Sequence, residues 1–294
     1  MTAEDTPKGF ALGLTAYLLW GFLPLYMKAV AHIPAAEIIA HRVLWSIPVA
    51  AAVLIWLGRT GDLKTALRSP RTVAMAALTA ALISVNWGIY VWAIASGHAL
   101  EAALGYYINP LFSVFLGAVL LGERLRPLQW IAIALAGAAV LVLTIENGTI
   151  PYASLSLTVT WGFYAYFKKS LPVGPNQGFL LEILLLAPAA LAYVVWLEAT
   201  GAGHFLAGHA PDMWLILGLG LVTAGPLMIY GNAAKLLRLS TIGIMQYIAP
   251  TIILLLAVFL FGEPFGTARA IAFPMIWAAL ALYTWSMVRA RRAA

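Results

Sequence analysis

Asn86, Trp87 and Tyr90 place an amide, an indole and a phenol within about one turn of an otherwise apolar stretch. Asn86 and Tyr90 stand four residues apart and so share a helix face, with Trp87 beside them. A second group, Tyr106, Tyr107 and Asn109, directly precedes Pro110, and a third, Gln246 and Tyr247, closely precedes Pro250. Tyr17, Trp20, Trp161, Tyr164 and Tyr230 add rings near the middle of apolar runs or beside polar residues. Together these residues offer recognition chemistry. Amides and phenols hydrogen-bond a polar ligand, and a ring face holds a ligand ammonium at about 0.5–2 kcal/mol per contact. A proline inside a helix releases a carbonyl one turn earlier and bends the helix around a cavity, which makes Pro110 and Pro250 candidate kinks. Such a lining suits amino acids or amines without specifying one.

Ionisable residues inside apolar segments are functional candidates by default. Glu37, His41 and Arg42 begin one such segment, with Glu37 and His41 on one face at a spacing of four. His41 is also counted with the candidate cavity residues; either it or Glu182, further along, could relay protons, but the favoured role for both is structural pairing. Arg42 is expected to pair with Glu37 or to reach toward headgroups. Bond-making chemistry has little support. The five histidines are scattered, and the chain has no cysteine. It also lacks a His-Glu-x-x-His helix, a Gly-x-Ser-x-Gly elbow and a Walker A loop. The expectation is therefore no catalysis, no metal, no cofactor and no ATP-driven pump on this chain.

The elements that position these residues follow from composition. Of 294 residues, 63% are hydrophobic and 10% are charged, against about 25% charged in soluble domains. A charged, water-facing coat cannot be built from so few charges, which points to an all-α integral membrane protein. A crossing needs about 20 apolar residues. Ten stretches qualify: 9–30, 36–57, 73–96, 99–121, 128–146, 151–170, 177–198, 212–231, 239–261 and 268–288. A cleaved signal peptide is rejected, because Glu4 and Asp5 offset Lys8 and the first apolar run is too long.

With the N-terminus cytoplasmic, the inner segments hold Lys8, Arg59, Lys64, Arg68, Arg71, Arg124, Arg126, Lys168, Lys169, Lys235, Arg238, Arg289, Arg291 and Arg292, and the outer ones only Lys28 and Arg269. This positive-inside bias predicts both termini in the cytoplasm and an even number of spans. It also accounts for the net charge of +6 without a nucleic-acid partner.

The chain repeats itself. At a shift of 141 residues Trp20-Gly21-Phe22 meets Trp161-Gly162-Phe163 and Lys28 meets Lys169; at 140, Tyr90 meets Tyr230, Tyr107-Ile108 meets Tyr247-Ile248, Pro110 meets Pro250, and Gly122-Glu123 meets Gly262-Glu263. The expected units are 1–147 and 148–294. Each holds five spans, an odd number, so the second unit enters the membrane upside down relative to the first, the signature of secondary transporters that bind substrate near the midplane. Both Gly-Glu pairs read as helix stops, since glycine readily takes the left-handed C-terminal conformation.

The ten-span pattern, the Gly-Glu helix ends and the Trp-Gly pairs resemble the drug/metabolite transporter superfamily in its EamA branch. Ala16-Tyr17 through Trp20-Gly21, Glu37 through Arg42, Asn86-Trp87 to Tyr90, and Leu104 through Leu111 are similar to RarD-type members, and the likeness covers nearly the whole chain. The resemblance implies export of small metabolites, amino acids among them, across the cytoplasmic (inner) membrane, with drug efflux of the chloramphenicol type as the alternative. A membrane-embedded enzyme or a channel is the reading from another class. One departure is Pro24, which has no counterpart in the second unit before Pro172. The expected partners are a small-molecule substrate and lipid; a monomer is expected, with a dimer as the alternative, and proton coupling and facilitated diffusion both stay open.

Overall fold

The computed structural model describes residues 6–58, 60–121, 125–169, 171–206, 210–233, 236–237 and 245–292. Arg59, Gly122, Glu123, Arg124, Lys235, Arg238 and the start of the ninth expected span lie outside them. All regular structure among the described residues is helical: α1 (Pro7–Ala29), α2 (Ala35–Trp56), a short α3 (Gly61–Leu67), α4 (Pro70–Ala95), α5 (Ala99–Leu121), α6 (Pro127–Asn147), α7 (Tyr152–Lys169), α8 (Pro175–Ala199), α9 (Ala210–Ala233), α10 (Ile248–Leu255, prolonged by a π turn over Leu256–Leu260) and α11 (Thr267–Arg292).

Local sequence sets these limits. Pro7, Pro70, Pro127 and Pro175 open their helices, where proline's missing N–H costs nothing and its φ already fits. The hydroxyls of Thr6 and Ser69 accept from the N–H groups of Gly9 and Thr72 at 3.0 and 3.3 Å, capping α1 and α4. The stretch after α10 ends at Gly262, which has a φ of +68°.

Eight helices are long and apolar enough to cross a bilayer: α1, α2, α4, α5, α6, α8, α9 and α11. Their outer faces carry exposed Phe10, Phe22, Val119, Leu141, Val195 and Leu221, an apolar coat suited to acyl chains. Two of the ten expected spans, α7 and α10, do not meet that standard among the described residues. Helix α7 has 18 residues and alternates Ser154, Ser156, Thr158 and Thr160 with apolar side chains. It packs against α4 and α5, where its hydroxyls find acceptors: Ser154 donates to the Glu101 carbonyl at 2.8 Å and Thr158 to that of Gly105 at 3.0 Å. Helix α10 is shorter still, and Pro250 falls in its first turn. There a proline removes no hydrogen bond within α10, and the chain, helical at Met245, breaks at Gln246 and Tyr247, one turn before the proline.

The helices pair as α1 with α9 and α10, α2 with α8 and α9, α4 with α7 and α8, α5 with α7 and α10, and α6 with α11. Exchanging α1, α2, α4, α5 and α6 for α7, α8, α9, α10 and α11 carries this set onto itself. Individual contacts obey the same exchange. A methyl group on Gly21 would press on Ile252, and one on Gly162 on Phe112; those pairs correspond at the shifts of 141 and 140 residues.

One end of the bundle is knitted by polar ties. Glu263 accepts from the Ala99 and Leu100 N–H groups at 2.7 and 2.9 Å, capping α5. Glu37 accepts from the His204 N–H at 2.7 Å and meets its ring at 2.8 Å. His32 meets Asp212 at 3.0 Å. Near the middle, Gly220 of α9 lies so close to the Trp45 carbonyl of α2 that a Cβ would overlap it, whereas nothing lies near a Cβ at Gly225. Gly220→Ala is therefore expected to cost about 1–3 kcal/mol through overpacking, read as a lower thermal midpoint in detergent, while Gly225→Ala leaves the midpoint in place.

Candidate substrate cavity

A cavity of about 150 Å³ lies among α1, α2, α4, α5, α7, α9 and α10. Helix α1 contributes Tyr17, Trp20 and Leu23, α2 contributes Arg42, and α4 contributes Asn86, Trp87 and Tyr90. Tyr106 and Asn109 come from α5, Trp161 from α7, and Thr223, Leu227 and Tyr230 from α9. Gln246, Ala249, Pro250 and Ile253 close the wall at the start of α10.

The rings form two groups. Tyr17, Trp20 and Tyr230 meet with centroids 5.4–5.8 Å apart. Across the cavity's lining, Tyr90 lies 5.9 Å from Tyr106, which lies 6.5 Å from Trp161. Edge and tilted geometries of this kind fix ring positions by quadrupole complementarity. Arg42 places its guanidinium 4.7 Å from the Trp87 ring, and its Nε donates to the Thr223 hydroxyl at 2.9 Å.

Between these rings the polar groups are only partly satisfied. Asn86 donates through Nδ2 to the Leu157 carbonyl at 3.1 Å and the Thr160 hydroxyl at 2.8 Å. Its Oδ1 has no protein partner, and neither do Asn109 Oδ1, the Tyr90 hydroxyl and Arg42 Nη1. Leaving a buried polar group unpaired costs about 1–3 kcal/mol, so a pocket walled by rings that retains donors and acceptors is built to receive a polar ligand.

The model of the EamA-like transporter family matches residues 7–145. A protein named RarD from Streptomyces exfoliatus is 42% identical over 99% of this chain and 93% of its own. The chain belongs to the RarD-type transporters of the EamA family. A Pseudomonas aeruginosa relative named chloramphenicol-sensitive protein RarD is 34% identical over 97% of this chain and 96% of its own. A solved crystal structure, 24% identical and covering 96% of this chain and 98% of its own, shares the fold with a TM-score of 0.61. This RarD-type protein is thus a multi-pass membrane transporter that handles a small molecule, not an enzyme.

Several residues expected in the transporter's cavity stand elsewhere. Tyr107 points to the interface of α5 with α10 and α11: its hydroxyl meets that of Thr251 at 2.6 Å, and its ring stacks on Tyr247 at 6.4 Å and abuts Phe273. Pro110, the candidate kink, lies inside α5. Tyr164 lies behind Trp161, with its hydroxyl 3.4 Å from Glu182. His41 turns from the cavity to accept from the Trp45 indole at 3.3 Å and lies 3.9 Å from Glu37.

Arg42 does not pair with Glu37. Five positions along a helix amount to about 140° of rotation, which separates their faces, and Glu37 is taken by His204. Glu182 is buried in an ion pair with Lys168 at 2.6 Å and accepts from the Thr79 hydroxyl at 2.7 Å. Lys168 and Thr223 were missed by reading the sequence. For Lys168 a signal existed, since it follows Tyr164 at a spacing of four and both face Glu182. Lys168→Met leaves that carboxylate unpaired and is expected to cost about 3 kcal/mol; in thermal unfolding the double variant Lys168→Met/Glu182→Gln should recover most of the loss.

Proposed function

We propose that this transporter exports amino acids by alternating access, with units 1–147 and 148–294 acting as inverted five-helix repeats of a ten-span bundle in the cytoplasmic membrane, both termini inside. The observation that carries the reading is the cavity itself: both units wall it, aromatic rings line it, and four buried polar atoms within it lack a protein partner. The exchange of helix pairs and of the Gly21 and Gly162 contacts supports the repeat, because two near-equivalent halves can swap conformations and expose one chamber to each side in turn. Inclusion of α7 and α10 as short, protein-covered crossings supports the ten-span count, since polar or irregular backbone survives at membrane depth where protein surrounds it. A second reading, efflux of chloramphenicol-type drugs, draws support from the name of the Pseudomonas relative.

Two measurements test this. In proteoliposomes, labelled amino acids should show saturable flux, which a channel would not. Trp20→Ala and Trp161→Ala should each reduce apparent affinity about 2- to 30-fold by removing a ring contact, while Tyr107→Phe should leave affinity unchanged. Flux unaffected by both tryptophan variants for every transported compound sinks the cavity assignment. The absence of native cysteine makes topology simple to probe: Ile150→Cys should react from outside the cell, and Leu67→Cys only after permeabilisation. Reaction of both from one side contradicts the arrangement.

A further inference from the structure

We propose that Arg42 is the anion-binding residue of the cavity, so that the transported molecule carries a carboxylate. The proposal rests on the reading of this cavity as the transport site and specifies what it selects. Arg42 is 3% exposed. Its guanidinium is held from two sides, by the Thr223 hydroxyl on α9 and the Trp87 ring on α4, while Nη1 has no protein partner.

A guanidinium stays charged in proteins, and a buried charge is costly unless something neutralises it. The buried and half-buried carboxylates among the described residues are engaged elsewhere. Glu37 is held by His204, Glu182 by Lys168 and Thr79, Asp212 by His32, and Glu263 by the start of α5. Glu101 accepts from the Ala153 N–H, and Glu198 from that of Leu206. The counter-charge for Arg42 is therefore left to the ligand. A carboxylate fits, because its two oxygens match the fork of a guanidinium whose orientation is already set.

The remaining unpaired atoms extend the fit to a zwitterion. The Asn86 amide is oriented by its neighbours: Thr160 spends its own proton on the Ser156 carbonyl at 2.6 Å and so accepts from Asn86 Nδ2, which leaves Oδ1 as the acceptor without a partner. Asn86 Oδ1 and Asn109 Oδ1 are then acceptors for an ammonium, and the ring groups hold the side chain. Chloramphenicol carries no anionic group and leaves Arg42 uncompensated.

The test is binding to the purified full-length protein, read by thermal shift and by competition in proteoliposomes. The panel is the standard amino acids, chloramphenicol and, for each amino acid that binds, its amide, its decarboxylated amine and its deaminated acid. The acids should compete, and the amides, amines and chloramphenicol should bind about tenfold more weakly or worse. Arg42→Gln should erase this preference, and Arg42→Lys should keep part of it. If amides or amines bind the wild-type protein as tightly as the parent amino acids, or monodisperse Arg42→Gln keeps full affinity, the role of Arg42 is overturned while the cavity stands. If nothing in the panel binds, the amino-acid reading of the cavity falls, and this proposal falls with it. The wild-type comparison needs no variant, so a misfolded substitution does not shield the proposal.

Discussion

Hydrocarbon offers no hydrogen bonds, and this one deficit organises the molecule. Every polar group inside the bundle must be met by another protein group or by a ligand. The consequences run along the chain. Glu182 brings Thr79 and Lys168 to itself, the hydroxyls of Ser154 and Thr158 on α7 borrow carbonyls from α5, and Glu263 completes the first turn of α5. Against that background, the residues that line the cavity hold four of the seven buried side-chain atoms without a protein partner among the described residues, and unpaired groups are where binding energy is available.

The same constraint explains how a helix of modest hydropathy can sit at the centre. Helix α7 would be a poor span if lipid surrounded it, but its polar face is covered by α4 and α5. Its burial is what lets Asn86 find both Leu157 and Thr160. Close backbone approach at Gly21, Gly162 and Gly220 draws the helices together around the chamber, as small residues commonly do in membrane bundles.

Much of the fold was readable from residue types. Apart from the ninth stretch, whose start lies outside the described residues, apolar runs located the long helices to within a few residues, and the spacing of tryptophan, tyrosine and proline pointed to the exchange that the helix pairs obey. Ten of the residues expected to line the cavity do so, among them Tyr17, Trp20, Asn86, Tyr106, Asn109 and Trp161. What could not be read was direction. A helix that is apolar all round carries no periodic signal of which face turns inward, so Tyr106 and Tyr107 looked equivalent although only the former reaches the chamber. Arg42 posed the same difficulty, because proximity along the chain suggested Glu37 while helical rotation placed the two apart. Partners distant in sequence, Thr223 for Arg42 and His204 for Glu37, had no local trace at all.

The ties at one end of the bundle join residues far apart in the chain: Glu37 with His204, His32 with Asp212, and Glu263 with the start of α5. A molecule leaving between the 30–34 and 200–206 connections must first separate Glu37 from His204 and His32 from Asp212, and water then has to solvate two carboxylates that protein had sheltered. Under the alternating-access reading proposed above, the energetic threshold for releasing cargo at that end is written in side chains remote from the cargo, and can be tuned without altering what the chamber recognises.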